Sequence, residues 1–203
     1  MPSSERRARE RADVRGRILG AASEVLAAEG VAALTMRRVA SDVDYTAPVI
    51  YQHFANKDAL VGELVRQGYG ELARRVEATR RVPDIDARLT AVAEEYLRFA
   101  GENEHLFEAM NGTALSADER RAAAEPIIGV VWELLSDWSQ RYEVELEIAE
   151  ACDIIWGTMY GIASVGRLDT VGGTRAGRLG VRALQLLLPV SYTHLTLPTI
   201  LRV

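Results

Sequence analysis

An all-α fold is expected from this chain, on three observations. Apolar residues recur at spacings of three and four along most of its length. No stretch shows the strict alternation of a half-buried strand, and there is no internal repeat. The interruptions are Asn, Gly and Pro at places where helices start and stop. The architecture expected is a three-helix head containing a helix-turn-helix, followed by a larger helical body.

Residues 1–11 are rich in Ser and Arg, and read alone they suggest a solvated basic arm; beside a helix-turn-helix, Arg6, Arg7, Arg9 and Arg11 become candidates for phosphate or minor-groove contacts. The first helix is expected from about Ala12 to Glu29, with Val14, Ile18, Ala22, Val25 and Leu26 inward and Gly30 as its C-terminal stop. The stretch from Thr35 to Phe54, TMRRVASDVDYTAPVIYQHF, reads as two short helices joined by a tight turn. Thr35 can cap the first of them, and Val39, Ala40 and Val43 form its apolar stripe. Asp44-Tyr45 breaks that stripe, and Asp tolerates a left-handed turn. Thr46 is placed as the next cap, and Pro48 falls in a first turn, where proline is accepted. Ile50 and Phe54 then point inward, leaving Ala47, Val49, Tyr51, Gln52 and His53 outside.

Asn56 caps a fourth helix that runs to about Arg81, long enough to connect head and body as a rod, until Val82-Pro83-Asp84 stops it. The body is expected to follow as helices over Ile85–Ala100 and Glu104–Met110, the latter ended by Asn111-Gly112-Thr113. A long segment opens at Ser116 and is kinked or divided by Pro126. Helices over Glu145–Leu168 and from Thr174 or Arg175 to Leu188 complete it. Residues 189–203, PVSYTHLTLPTILRV, lack the helical period and the Ala/Arg/Glu-rich style of the rest, so they read as a non-native tail such as a translated cloning remnant.

Composition narrows the function. Residues 1–81 hold 14 Lys+Arg against 11 Asp+Glu, and the remainder 10 against 18, within a net charge of −5. A mildly basic head on an acidic body suits a nucleic-acid module attached to something that does not bind nucleic acid. A single cysteine, Cys152, excludes an intramolecular disulfide and a thiolate cluster, which makes a reducing cytoplasm the expected compartment. No run approaches the ~20 apolar residues of a membrane span. There is no Gly-rich phosphate loop, no G-x-S-x-G and no nucleophile–His pattern, so an enzyme is not expected, nor a cofactor. Glu104, His105 and Glu108 share one helical turn, but one histidine and no second cluster make an acidic surface the better reading than a metal site.

The motifs LTMRRVA, APVIYQHF and ANKDALV resemble the helix-turn-helix of the tetracycline-repressor (TetR) family of bacterial transcription regulators. The chain departs from that pattern at Asp44, where the family usually has Gly. The resemblance implies roles residue by residue. Arg37 reaches a base or phosphate; Ala47, Pro48 and Val49 face base edges; Tyr51 and His53 bind phosphates; Lys57 adds a contact from the next helix; and the two capping residues Thr35 and Thr46 are counted with them as DNA-binding candidates. Gln52 is the one neutral side chain here able to pair with adenine.

The resemblance implies, with residues 1–55 as the DNA-binding domain and 56–188 as the effector and dimerisation domain, a one-component repressor that binds a duplex operator as a homodimer. The effector is expected to be small and largely apolar, because Tyr96, Phe99, Phe107, Met110, Trp132, Trp156, Met159 and Tyr160 could line a pocket. The dimer is expected from the last two long helices. Gly157 and Gly161 allow close approach there, and the stripe Gly177, Val181, Leu184, Leu188 needs a partner. The alternative is a helical ligand-binding or scaffold protein with a degenerate head, kept open by Asp44 and by the scarcity of polar side chains on the second helix.

Overall fold

The computed structural model describes residues 3–167 and 173–194, and among them every regular element is helical. The chain groups into two compact units, Met1–Tyr69 with Asn103–Ala123, and Gly70–Glu102 with Ala124–Val203. These are units of packing and differ in kind from the functional division expected at residue 55.

In the first unit α1 spans Ser3–Ala33, so residues 3–11 continue the helix instead of forming an arm. Their Arg, Glu and Ala are good helix formers, and Arg6 and Glu10 pair across one turn at 3.6 Å. Gly30 does interrupt α1, with φ 78°, and helical geometry then resumes to Ala33. It also permits a close approach, since a Cβ there would lie 3.1 Å from Nδ1 of His105. His105 belongs to α6, Glu104–Met110, which packs against α1 and has the expected bounds. Phe107 and Met110 of α6 are buried in this unit, and the buried Tyr69 donates its hydroxyl to the Met110 carbonyl at 3.2 Å. The same unit holds α2, Met36–Asp42, and α3, Ala47–Tyr51.

Four caps explain why the longer helices begin where they do. For α4, Lys57–Ala78, the Asn56 carboxamide accepts from the Ala59 N–H at 2.8 Å. A 3-10 turn, Thr79–Arg81, tightens the end of this helix. For α5, Ile85–Glu102, Asp84 accepts from Ala87 at 2.8 Å. α7, Ala117–Tyr142, opens with a reciprocal box: Ser116 N–H donates to the Glu119 carboxylate at 3.0 Å, and Glu119 N–H to the Ser116 hydroxyl at 3.3 Å. Those bonds from Ser116 hold the Glu119 carboxyl below its usual range. For α8, Ile148–Arg167, Glu147 accepts from Glu150 N–H at 2.6 Å, which is why the helix starts after the expected Glu145.

Two expectations of a helix ending at a proline need correction. α7 runs through Pro126 as one helix, with Ala124, Ile127 and Val130 buried on both sides of it. α9 is Gly173–His194, so helical backbone continues past Leu188 and includes Pro189. Packing on both flanks offsets the missing N–H at Pro126. Residues 195–203 of the odd tail lie outside the described residues.

The core of the second unit contains Leu89, Leu134, Leu135, Trp138 and Val144. Asp86, in the first turn of α5, locks the end of α7 to it. Trp138 Nε1 donates to Asp86 Oδ1 at 3.0 Å, and the Tyr142 hydroxyl donates to Oδ2 at 2.5 Å. The carboxylate in turn raises the Tyr142 phenol above its ordinary pKa. Asp86→Ala is expected to lower unfolding stability by about 2–3 kcal/mol, because an indole N–H in a buried side chain loses its acceptor. Asp86→Asn, which retains one acceptor, should cost less; urea denaturation of the two variants compares them. In the same unit Gly180 lets α9 close on α5, where a Cβ would overlap Leu97.

Candidate nucleic-acid interface and body cavity

The helix-turn-helix is built as its residues dictate. Met36, Val39, Ala40, Val43, Ile50 and Phe54 are all buried. Thr35 caps α2 by accepting from the Arg38 N–H at 3.1 Å. Thr46 occupies the N-cap of α3 with extended backbone, but its exposed side chain makes no capping bond, so the expected hydroxyl cap is absent. Pro48 in the first turn lacks the N–H that such a bond would serve at that position. Asp44 has φ 57°, the left-handed conformation expected of the turn.

The faces then separate. Tyr51 is 54% exposed, and Pro48, Gln52 and Arg37 are exposed with it. Ala47, Val49, His53 and Lys57 are half-buried. The two neighbouring arginines of α2 differ in employment. Arg38 pairs with Glu29 at 2.9 Å and Asp42 at 3.3 Å, and these partners raise its pKa. Arg37 has no partner among the described residues, so its guanidinium is available to a base edge or phosphate. At the end of α3, burial and then the charges of Arg11 and Arg15 push the His53 imidazole below its ordinary pKa. It is therefore neutral near pH 7, and can give a phosphate one N–H bond without a full charge.

Sequence reasoning missed the braces of this motif. Arg11 donates to the Gln52 carbonyl at 3.3 Å, Arg15 pairs with Glu63 at 3.1 Å and lies over the Phe54 ring, and Arg17 reaches Val43 and Tyr45. Arg11 and Arg15 are four apart on one face of α1, which was the only signal available in the sequence. Their partners lie more than 30 residues away and appear only when the helices cross.

The eight residues expected to line a pocket do not gather. Tyr96, Trp156 and Met159 line a cavity in the second unit, together with Leu89, Val131, Cys152, Ile155 and Leu184. Tyr96 and Trp156 meet edge to face at 5.7 Å. Phe99 is core, with Arg75 over its ring at 5.4 Å. Phe107 and Met110 are core of the first unit, while Trp132 and Tyr160 are 44% and 37% exposed. The cavity has a volume of about 50 Å³. A ligand pocket typically has about 300–1,000 Å³, so any ligand larger than a few atoms must push these side chains apart. Burial of Cys152 and the carboxylates of Asp153 and Glu147 raise its thiol pKa, so at neutral pH it behaves as an apolar lining group.

Of the six residues expected at a dimer interface, Gly157 is exposed, as is Gly161, and a Cβ at either meets nothing within 4 Å. The same open space surrounds Gly177, and Val181 is half-buried. Leu184 is 5% exposed and faces the cavity, so its apolar partner is the protomer's own core. The Leu188 side chain lies outside the described residues. Ile154 and Val165 on α8, and Leu179 and Leu186 on α9, are further exposed apolar groups.

Residues 18–64 match the family model described as bacterial regulatory proteins, tetR family, and residues 89–177 match the tetracyclin repressor-like C-terminal domain. Over 86 residues the chain is 35% identical to the HTH-type transcriptional activator FasR of Mycolicibacterium smegmatis, a stretch that covers 42% of this chain and 39% of that protein. The match thus spans about two fifths of that relative's length. Two solved structures share the fold. The fatty acid degradation regulator FadR of Bacillus halodurans superposes with a TM-score of 0.71 at 17% identity, over 84% of this chain and 93% of that one. FadR of Bacillus subtilis, solved in complex with stearoyl-CoA, gives 0.70 at 19% identity, over 84% and 96%.

Proposed function

The chain belongs to the TetR family of bacterial transcription regulators and is not an enzyme, and from that premise we propose that it is a cytoplasmic, homodimeric repressor released from its operator by a small, apolar effector. The observation that carries the DNA half is the pairing of a buried inner face on α2 and α3 with an exposed outer one. That outer face offers Arg37 and Gln52 to base edges, and Tyr51 with the half-buried His53 and Lys57 to phosphates. Ala47, Pro48 and Val49 add only apolar contact, suited to thymine methyl groups. Residues 1–55 act as the DNA-binding domain and 56–188 as the effector and dimer domain.

For the effector, the support is the lining of the cavity, whose polar atoms are confined to Tyr96, Cys152 and Trp156. A hydrocarbon chain suits it better than a phosphate or sugar. The stearoyl-CoA held by FadR of Bacillus subtilis carries such a chain. Release requires unequal affinity for the operator-bound and free states, typically about 1–3 kcal/mol of coupling. α4, continuous from Lys57 to Ala78, begins in one unit and ends in the other and is the natural carrier.

The test uses the promoter region flanking the protein's own gene. A retarded, salt-sensitive complex that survives excess random duplex is expected, and transcription from that promoter should fall when the protein is added. Stimulated transcription would make it an activator, as the relative FasR is named. Apolar ligands should quench Trp156, and operator should weaken their binding. Equal ligand affinity with and without operator would show that the cavity does not control the head.

A further inference from the structure

We infer that Arg17 is a positioning residue for α3, because it holds the turn between α2 and α3 from both sides of Asp44. Asp44 has φ 57°, where a residue with a side chain is strained and glycine is not. Its two neighbours are both bound by one guanidinium. Arg17 Nη2 donates to the Val43 carbonyl at 3.1 Å, and Nη1 donates to the Tyr45 hydroxyl at 2.8 Å. The guanidinium plane also lies over the Tyr45 ring, 4.9 Å from its centroid.

Val43 closes α2, so its carbonyl has no next turn of helix to accept from, and the arginine supplies that bond. Of the turn's own backbone bonds, Asp44 N–H to Ser41 at 3.2 Å and Tyr45 N–H to Ala40 at 2.9 Å, the second survives only while Asp44 keeps its left-handed conformation. Thr46 follows as the N-cap of α3, so the direction in which α3 leaves α2 is set at these residues. Arg17 lies 26 and 28 residues from its two partners and ties this direction to α1. Arg11 does the same at the far end of α3 through the Gln52 carbonyl. A rigid fork can satisfy two acceptors and cover a ring at once; an ammonium cannot.

The proposal rests on the operator-binding reading above. A tilt of α3 displaces base-edge contacts more than the flexible phosphate contacts around them, so loss of Arg17 should reduce discrimination and leave non-specific binding intact. The turn also has a predicted rescue: glycine at position 44 removes the strain that Arg17 offsets.

The experiment compares the unaltered protein with Arg17→Lys, Asp44→Gly, the double variant and Tyr45→Phe. Amide exchange at Asp44 and Tyr45 is read in the free protein, and the ratio of operator to random-duplex affinity at fixed salt is read by retardation. Arg17→Lys should raise both exchange rates, and lower the affinity ratio, by tenfold or more without changing the salt slope. Tyr45→Phe, which removes one of the two bonds, should give a smaller change in the same direction. Asp44→Gly should resemble the unaltered protein, and the double variant should lie within threefold of Asp44→Gly. Unchanged exchange in Arg17→Lys would overturn the proposal, as would an equal loss in the Asp44→Gly background. So would a uniform weakening on operator and random duplex alike, which marks a phosphate contact. If the unaltered protein does not distinguish operator from random duplex, the operator-binding reading fails, and the exchange rates alone decide the role of Arg17.

Discussion

Gly161→Leu is expected to convert the proposed dimer to monomers while leaving the protomer folded. Within the protomer a Cβ at Gly161 or Gly157 meets no atom within 4 Å, so the added side chain has room. Leucine also favours a helix over glycine by up to about 1 kcal/mol, so the monomer should unfold no earlier than before. Only a second helix laid against this face would suffer. Ile154 at 48% exposure and Leu186 at 53% mark that face as one that a lone protomer leaves wet. A dimer engages two half-sites with one linked reader, and breaking it should reduce operator affinity by about 10²–10⁴-fold. Sedimentation reports the mass and retardation the affinity. Retention of the dimer by Gly161→Leu would move the interface elsewhere. Leu184→Glu is a poor substitute for this test: it places a charge in the body's own core and should unfold it.

Arg37→Ala is expected to weaken operator binding by about 1–3 kcal/mol and to relax preference at a single base pair. The contrast with Arg38 makes the result interpretable. Arg38→Ala breaks the pairs to Glu29 and Asp42 and should act on the stability of the head, whereas Arg37 has no partner among the described residues. Lys57→Ala and Tyr51→Phe should weaken all duplexes alike, and the lysine should flatten the salt slope by about one unit. An Arg37→Ala loss that is equal on every sequence would make Arg37 a phosphate contact and leave Gln52 as the one polar base reader of the pair.

Much of the fold was legible in the chain alone because its helix boundaries are written locally. α6 ends where Asn111-Gly112 indicates, and the left-handed Asp44 was legible from residue type. The family was legible from three short motifs. Periodicity also identified the faces to be covered, but it could not say by what. Leu184 and Phe107 were correctly apolar-facing, yet each has found its partner inside its own unit. The pocket suffered most from this ambiguity, since an aromatic packed in a core and one lining a cavity have the same period. Arg17, Arg11 and Gly180 were invisible for the opposite reason: their roles depend on helices that cross far from them in sequence. The helical start of α1 was missed because basic composition was read as solvation where helix propensity decided the outcome.

A hydroxyl-radical footprint of the unaltered protein on its own promoter region tests the central claim most directly. Two heads joined by a two-fold dimer should protect two patches on one face of the duplex, about 34–36 Å apart, with inverted sequence symmetry between them. The Arg37→Ala protein should protect the same two patches more weakly. A single protected patch, or uniform protection that follows protein concentration without a preferred sequence, would contradict a dimeric, operator-reading regulator.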